Sequence, residues 1–108
     1  MKYINEKEIH WVELNPTKGI EMKKMRPCLV LRRFFEKHFV VIPVSSAEKP
    51  EYVSYFSNTI SFLEEENAWF VLSQVRVVDK SRFHERLGKV SDSLFSSIKK
   101  KMITVFTL

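Results

Sequence analysis

The sequence predicts a mainly β fold of the α+β kind: short antiparallel strands in one sheet or small barrel, then one terminal α-helix. Three observations predict it. Apolar, β-branched and aromatic runs of strand length recur between residues 9 and 79, separated by polar turns. Gly and Pro number only 2 and 4, so low complexity is excluded. Helical spacing of apolar residues emerges only at the end, after Ser91.

The elements follow in order. Ile9 to Leu14, "IHWVEL", is aromatic and β-branched and stops at Asn15-Pro16, so it reads as a strand. Residues 15–25 form a loop with Gly19 as its permissive point. "PCLVLRRFF" opens a second strand at Pro27, a residue tolerated at a strand start. "HFVVIPVSS" is a third, apolar enough to be buried on both faces. "YVSYFSNTISF" reads as one or two strands, and "AWFVLSQVRVVD" as another. "KSRFHERLGKV" is mixed, with a turn expected near Gly88. Ser91 is a good N-cap and Asp92 puts an anion in the first helical turn. Leu94, Phe95, Ile98, Met102, Val105 and Phe106 then share one stripe, with Ser96, Lys99 and Lys100 mainly opposite. That stripe is expected to face the core rather than a membrane.

The chain has 108 residues, 44% of them hydrophobic, which fits one domain over residues 1–108 with a packed core. Cys28 is the only cysteine, so an internal disulfide and a multi-cysteine zinc site are excluded. Within "PCLVL" it reads as a small buried hydrophobe. The N-terminus is polar and no apolar run reaches membrane-spanning length, so a cytoplasmic protein without membrane contact is expected. Net charge is +5, which favours an acidic partner without saying which kind.

His10, His38 and His84 have no metal-ligand spacing, and no carboxylate stands beside them in a known motif. Each reads as a surface or structural histidine. Glu64-Glu65-Glu66 reads as a solvated turn. No Gly-rich phosphate loop and no serine elbow is present. The informative stretch is basic. Lys18, Lys23, Lys24, Arg26, Arg32 and Arg33 stand against Glu21 alone between residues 18 and 33. Arg26 differs from the others because Pro27 and the apolar strand fix its backbone. A guanidinium is costly to desolvate without an anion, and a fixed one suits phosphate binding. If the second and third strands form a hairpin, Ser45 comes close to Arg26. The plain alternative for Ser45 is a hydroxyl that caps a strand end.

"WVELNPTKGIE…RPCLVL", "VVIPVSS", "SQVRVVDKSRF" and "GKVSD" before a final helix resemble, in order, the MazF/PemK/Kid toxins of type II toxin–antitoxin systems. The likeness runs from about Ile9 to Leu108. It implies an SH3-like β-barrel with a C-terminal helix, usually a homodimer. It implies a sequence-specific endoribonuclease that cleaves single-stranded RNA with no metal or other cofactor, neutralised by a cognate acidic antitoxin. The family's catalytic Arg and hydroxyl fall on Arg26 and Ser45. Glu21, Lys23, Lys24, Ser46, Gln74 and Arg76 fall where RNA contacts are expected. Three places depart from the pattern: Ser73 stands where the family has an acidic residue, Ile20 where some members have His, and Glu6-Lys7-Glu8 where an Arg-Gly-Asp start is common before the first strand. Ser73 keeps open a barrel that binds RNA without cleaving it. A gyrase-inhibiting toxin of the CcdB type is the other rival, and it would act through the end of the helix rather than through Arg26 and Ser45.

Overall fold

The computed structural model describes residues 3–14, 25–64 and 67–107. Among them, the strands are β1 (Glu8–Glu13), β2 (Met25–Phe35), β3 (His38–Ser45), β4 (Ser54–Ser57), β5 (Ala68–Val71), β6 (Arg76–Asp79) and β7 (Phe83–Lys89). One helix, α1 (Asp92–Phe106), follows. The loop expected at residues 15–25, with Gly19, Glu21, Lys23 and Lys24, lies outside the described residues except at Met25, which opens β2.

All strand pairs are antiparallel. The order β6-β3-β2-β1-β7 makes a five-strand run. Its two edge strands are joined by a single 3₁₀ turn, Lys80–Arg82. One short connection between the two edges curls the sheet on itself, which gives the expected SH3-like barrel. At its far end β3 leaves this run and pairs with β5, Val44 against Phe70, and β5 pairs with β4.

The near-continuous apolar runs have a direct cause. Alternate residues enter two different cores. Val12, Leu14, Cys28, Val30, Phe39, Val41 and Phe83 fill the barrel. Ile9, Leu29, Ile42, Val44 and Phe70 point the other way, against Phe95 and Ile98 of α1. Each fully buried Leu or Ile contributes about 2 kcal/mol relative to exposure. Two-sided burial here comes from a helix laid on an antiparallel barrel, not from a parallel sheet.

Helix α1 begins as its sequence dictates. The Ser91 hydroxyl accepts from the Leu94 N–H at 3.1 Å. The Asp92 carboxylate lies 2.8 Å from Lys7 Nζ, and that bond holds its pKa below the ordinary value. Leu94, Phe95, Ile98, Met102 and Val105 pack on the second core. Phe106, placed on the same stripe from sequence, is instead half-exposed: it is the helix's last residue, and Val105 beside it is the last to reach the core.

Two further expectations are corrected. "AWFVLSQVRVVD" is not one strand. A 3₁₀ turn at Leu72–Gln74, anchored by fully buried Leu72, separates β5, which pairs with β4 and with the Val44–Ser45 end of β3, from β6, which pairs with residues 38–41 of β3. There is no turn at Gly88. It lies within β7 opposite Ile9, where a Cβ would meet the Phe62 ring at 2.6 Å. The glycine marks a close approach, not a reversal.

Candidate functional site

The long hairpin of β2 and β3 sets the site. Cys28 pairs with Pro43, and Arg26 pairs across the other edge with Val12 of β1. Continuing the β2–β3 register two residues past Cys28 sets Arg26 opposite Ser45. Both line one cavity of about 340 Å³, together with Ser46. Trp11, Pro27, Phe62 and Leu87 give it apolar walls, while Glu64 and Asn67 add polar groups. A second depression of about 680 Å³, beside Phe56, Trp69 and Lys101, holds none of the residues singled out from sequence.

Ser45 is buried and its hydroxyl is fixed. The Ala47 N–H donates to Ser45 Oγ at 3.1 Å, and Oγ lies 3.2 Å from the Ala47 carbonyl, to which it donates. This is a hydroxyl turn at a strand end. It also holds the oxygen at a defined point on the cavity wall. Ser46 is exposed beside it.

Arg26 is half-buried, yet among the described residues no hydrogen bond or ion pair reaches its guanidinium. Its charge is felt by Cys28. Burial pushes the Cys28 thiol far above its usual pKa, and Arg76 and Arg26 partly oppose that rise. Cys28 is therefore an inert core thiol, as its setting in "PCLVL" implies. Two guanidiniums share its side of the barrel.

The structure does not bring every predicted residue to the cavity. Arg76 donates through Nη1 to the Leu14 carbonyl at 3.2 Å, where β1 ends. Gln74 closes the 3₁₀ turn before β6. Both lie outside the cavity lining. Glu21, Lys23 and Lys24 belong to the stretch that is not described. Conversely, Trp11, Phe62, Asn67 and Leu87 line the cavity without having been singled out. They come from β1, β7 and the connection before β5, so only the tertiary fold assembles them.

A carboxylate does stand beside His10. Glu8 lies two residues earlier, on the same face of β1, and its Oε1 accepts from His10 Nε2 at 2.9 Å. Glu8 also accepts from the Asn5 N–H at 2.9 Å and from Arg86 Nε at 3.1 Å. Burial alone would raise the Glu8 pKa, but the bonds from Asn5, His10 and Arg86 outweigh it and hold the carboxyl below its ordinary value. His10 packs edge-on against Phe83 and is fully buried. It is a structural histidine. His38 and His84 are half-exposed or exposed on the surface. Among the described residues, no three His, Cys, Asp or Glu side chains converge as a metal site would require. No described helix is long and apolar enough to cross a membrane.

The profile of the PemK-like, MazF-like toxins of type II toxin–antitoxin systems matches residues 5–106, nearly the whole chain. The chain belongs to this family. Comparison with curated proteins gives no match. Solved structures share the fold at low identity. MazF of Deinococcus radiodurans superposes with a TM-score of 0.78 at 17% identity, covering 99% of this chain and 100% of that one. Toxin MazF-mt6 of Mycobacterium tuberculosis gives 0.76 at 15%, covering 94% and 97%. An endoribonuclease from a mycobacterial species, solved in complex with its cognate antitoxin, gives 0.77 at 11%, covering 98% and 97%. The MazF-type toxin therefore has the architecture expected of its family, with Arg26 and Ser45 on facing strands at one end of the barrel.

Proposed function

We propose that this MazF-type toxin is an endoribonuclease that cleaves single-stranded mRNA at the Arg26–Ser45 cavity. The observation that carries the reading is Arg26, a half-buried cation fixed by β2, facing a cavity and without an anionic partner among the described residues. A scissile phosphate is the anion that completes it.

In the proposed reaction the RNA supplies its own nucleophile. The 2′-oxygen attacks the adjacent phosphorus and loses its proton to solvent at the open cleft. The P–O5′ bond breaks, and the 5′-oxygen takes up a proton from water. The products are a 2′,3′-cyclic phosphate and a 5′-hydroxyl. Arg26 binds the phosphate and stabilises the extra negative charge of the pentacoordinate transition state. Its pKa is too high for a general base, so the role is electrostatic. Ser45 turns its hydroxyl from the Ala47 carbonyl to a phosphate oxygen and holds the in-line geometry. Trp11 and Phe62 offer flat apolar surface for an unstacked base. Ser46, Gln74 and Arg76, with Glu21, Lys23 and Lys24, are proposed contacts to flanking nucleotides.

The related mycobacterial endoribonuclease was solved with its antitoxin, and the net charge of +5 here suits an acidic antitoxin that folds over the cleft. A homodimer is part of the same proposal. The test is incubation of wild type, Arg26→Ala and Ser45→Ala with a long single-stranded RNA in excess EDTA. Discrete fragments with cyclic-phosphate ends are expected from wild type, with none from Arg26→Ala. No cleavage by folded wild-type protein overturns the enzyme reading and leaves an RNA-binding barrel or a protein-targeting toxin.

A further inference from the structure

The other end of the same hairpin carries a second, unassigned feature. Residues 32–38 read "RRFFEKH", and every one of them is exposed. Phe34 and Phe35 are 55% and 72% exposed, and neither belongs to either core. Each has a polar neighbour. The Arg32 guanidinium sits 5.5 Å from the Phe34 ring centroid, and the His38 ring stands edge-on to Phe35 at 5.8 Å. Two large rings at a hairpin tip forfeit burial that either core could have given them.

The charge around them has one dominant sign. Arg32, Arg33 and Lys37 lie on the hairpin, and Lys80 is brought to its base, where its N–H donates to the Lys37 carbonyl at 2.8 Å. Against them stand Glu36 and Asp79. Asp79 is already engaged, because its carboxylate accepts from the Ser81 N–H at 2.8 Å. Exposed rings interleaved with guanidiniums fit unpaired bases stacked on the rings with phosphates on the cations. An acidic peptide would use the cations but leave the rings without an equivalent partner.

We infer that the β2–β3 hairpin tip is an auxiliary single-stranded RNA site, which binds substrate flanking the cleavage cavity through Phe34, Phe35, Arg32 and Arg33. It rests on the proposed ribonuclease reading for its purpose, not for its chemistry. Phe34 lies eight residues from Arg26 on one strand, about 25 Å along β2. A short RNA fills the cavity alone, whereas a longer one reaches the tip. The tip thus makes long, unstructured RNA the better substrate.

The experiment measures Kd by fluorescence anisotropy with the full, otherwise wild-type chain and 2′-O-methylated RNA probes, which lack the attacking hydroxyl, so that binding is read without cleavage. Two RNA probes are used, of about 5 and about 30 nucleotides. Onto this background are placed Phe34→Ser/Phe35→Ser and, separately, Arg32→Gln/Arg33→Gln. Each pair is expected to weaken the long RNA about tenfold and leave the short one unchanged. The arginine pair also lowers the slope of log K against log salt by about 1.4, as loss of two single-strand phosphate contacts requires. Unchanged affinity for the long RNA overturns the inference. So does an equal loss on both probes, which would mean a disturbed cleft. Retained RNA binding with lost binding of an acidic polypeptide probe, polyglutamate, also overturns it and makes the tip a protein surface. Tip-dependent binding in a protein whose wild type cleaves nothing would sink the ribonuclease reading while this one stands.

Discussion

Arg26 and Arg86 occupy similar places and end differently. Both flank β1, Arg86 opposite His10 and Arg26 opposite Val12 on the other side. Arg86 meets an internal anion. Its Nε donates to Glu8, which also accepts from Asn5 and His10, so the charge is absorbed by the fold. Arg26 has no such anion among the described residues, and it borders a cavity instead. A strand cation with a buried carboxylate partner holds structure. A strand cation that borders a cleft, held rigid by its neighbours, is placed for a ligand.

Substitution separates the two roles. Arg26→Ala is expected to lower RNA cleavage about 10³-fold, since a fixed donor to the developing charge is lost. A fragment-yield time course checks it, and cleavage within threefold of wild type would break the comparison from the functional side. Glu8→Gln should do the reverse. It is expected to remove about 1–2 kcal/mol of stability in urea unfolding, because Arg86 loses its anion and one of the two acceptor oxygens that Asn5, His10 and Arg86 share becomes a donor, while activity per folded molecule stays near wild type.

The same carboxylate sets an acid limb. The folded pKa of Glu8 lies below the ordinary value of 4.5. Its contribution is therefore complete above that value and is lost as pH falls through the folded pKa. Melting temperature should drop on acidification below about pH 4.5, and Glu8→Gln should flatten part of that drop. A wild-type curve and a variant curve with identical acid limbs would remove Glu8 from the account.

Smaller effects sharpen the boundary between frame and cleft. In Gly88→Ala the new methyl meets the Phe62 ring, which lines the cavity. About 1–2 kcal/mol of destabilisation is expected, together with a raised KM, as overpacking pushes the ring. Ser91→Ala removes the helix cap, which is no part of the cavity lining, and should cost about 1 kcal/mol with no change in KM. A KM shift from Ser91→Ala and none from Gly88→Ala would reverse the assignment.

Much of this was legible in the sequence because single stretches carried it. Pro27 followed by an apolar run placed Arg26 at a strand start, and "IPVSS" placed Ser45 at a strand end. Hairpin pairing then needed no long-range information. Ser91-Asp92 before a periodic stripe gave the helix start to the residue. What stayed hidden was tertiary. Leu72 belongs to an apolar run, and only its burial under α1 and β4 turns that run into two strands that pair with opposite ends of β3. Gly88 carries no local sign that Phe62 approaches it. Trp11, Phe62, Asn67 and Leu87 meet only when the barrel closes. The Glu8–His10 contact did have a signal, since residues two apart on a strand share a face.

Urea unfolding of Arg26→Ala beside wild type, without RNA, shows whether the Arg26 cation has its partner inside the fold. If the partner of Arg26 lies outside the protein, the two unfolding free energies agree within about 0.5 kcal/mol, as for a substitution that breaks no internal contact. A loss of about 2 kcal/mol or more would mean that Arg26 has an anion within the fold, and the account of it as a phosphate-binding group would be wrong.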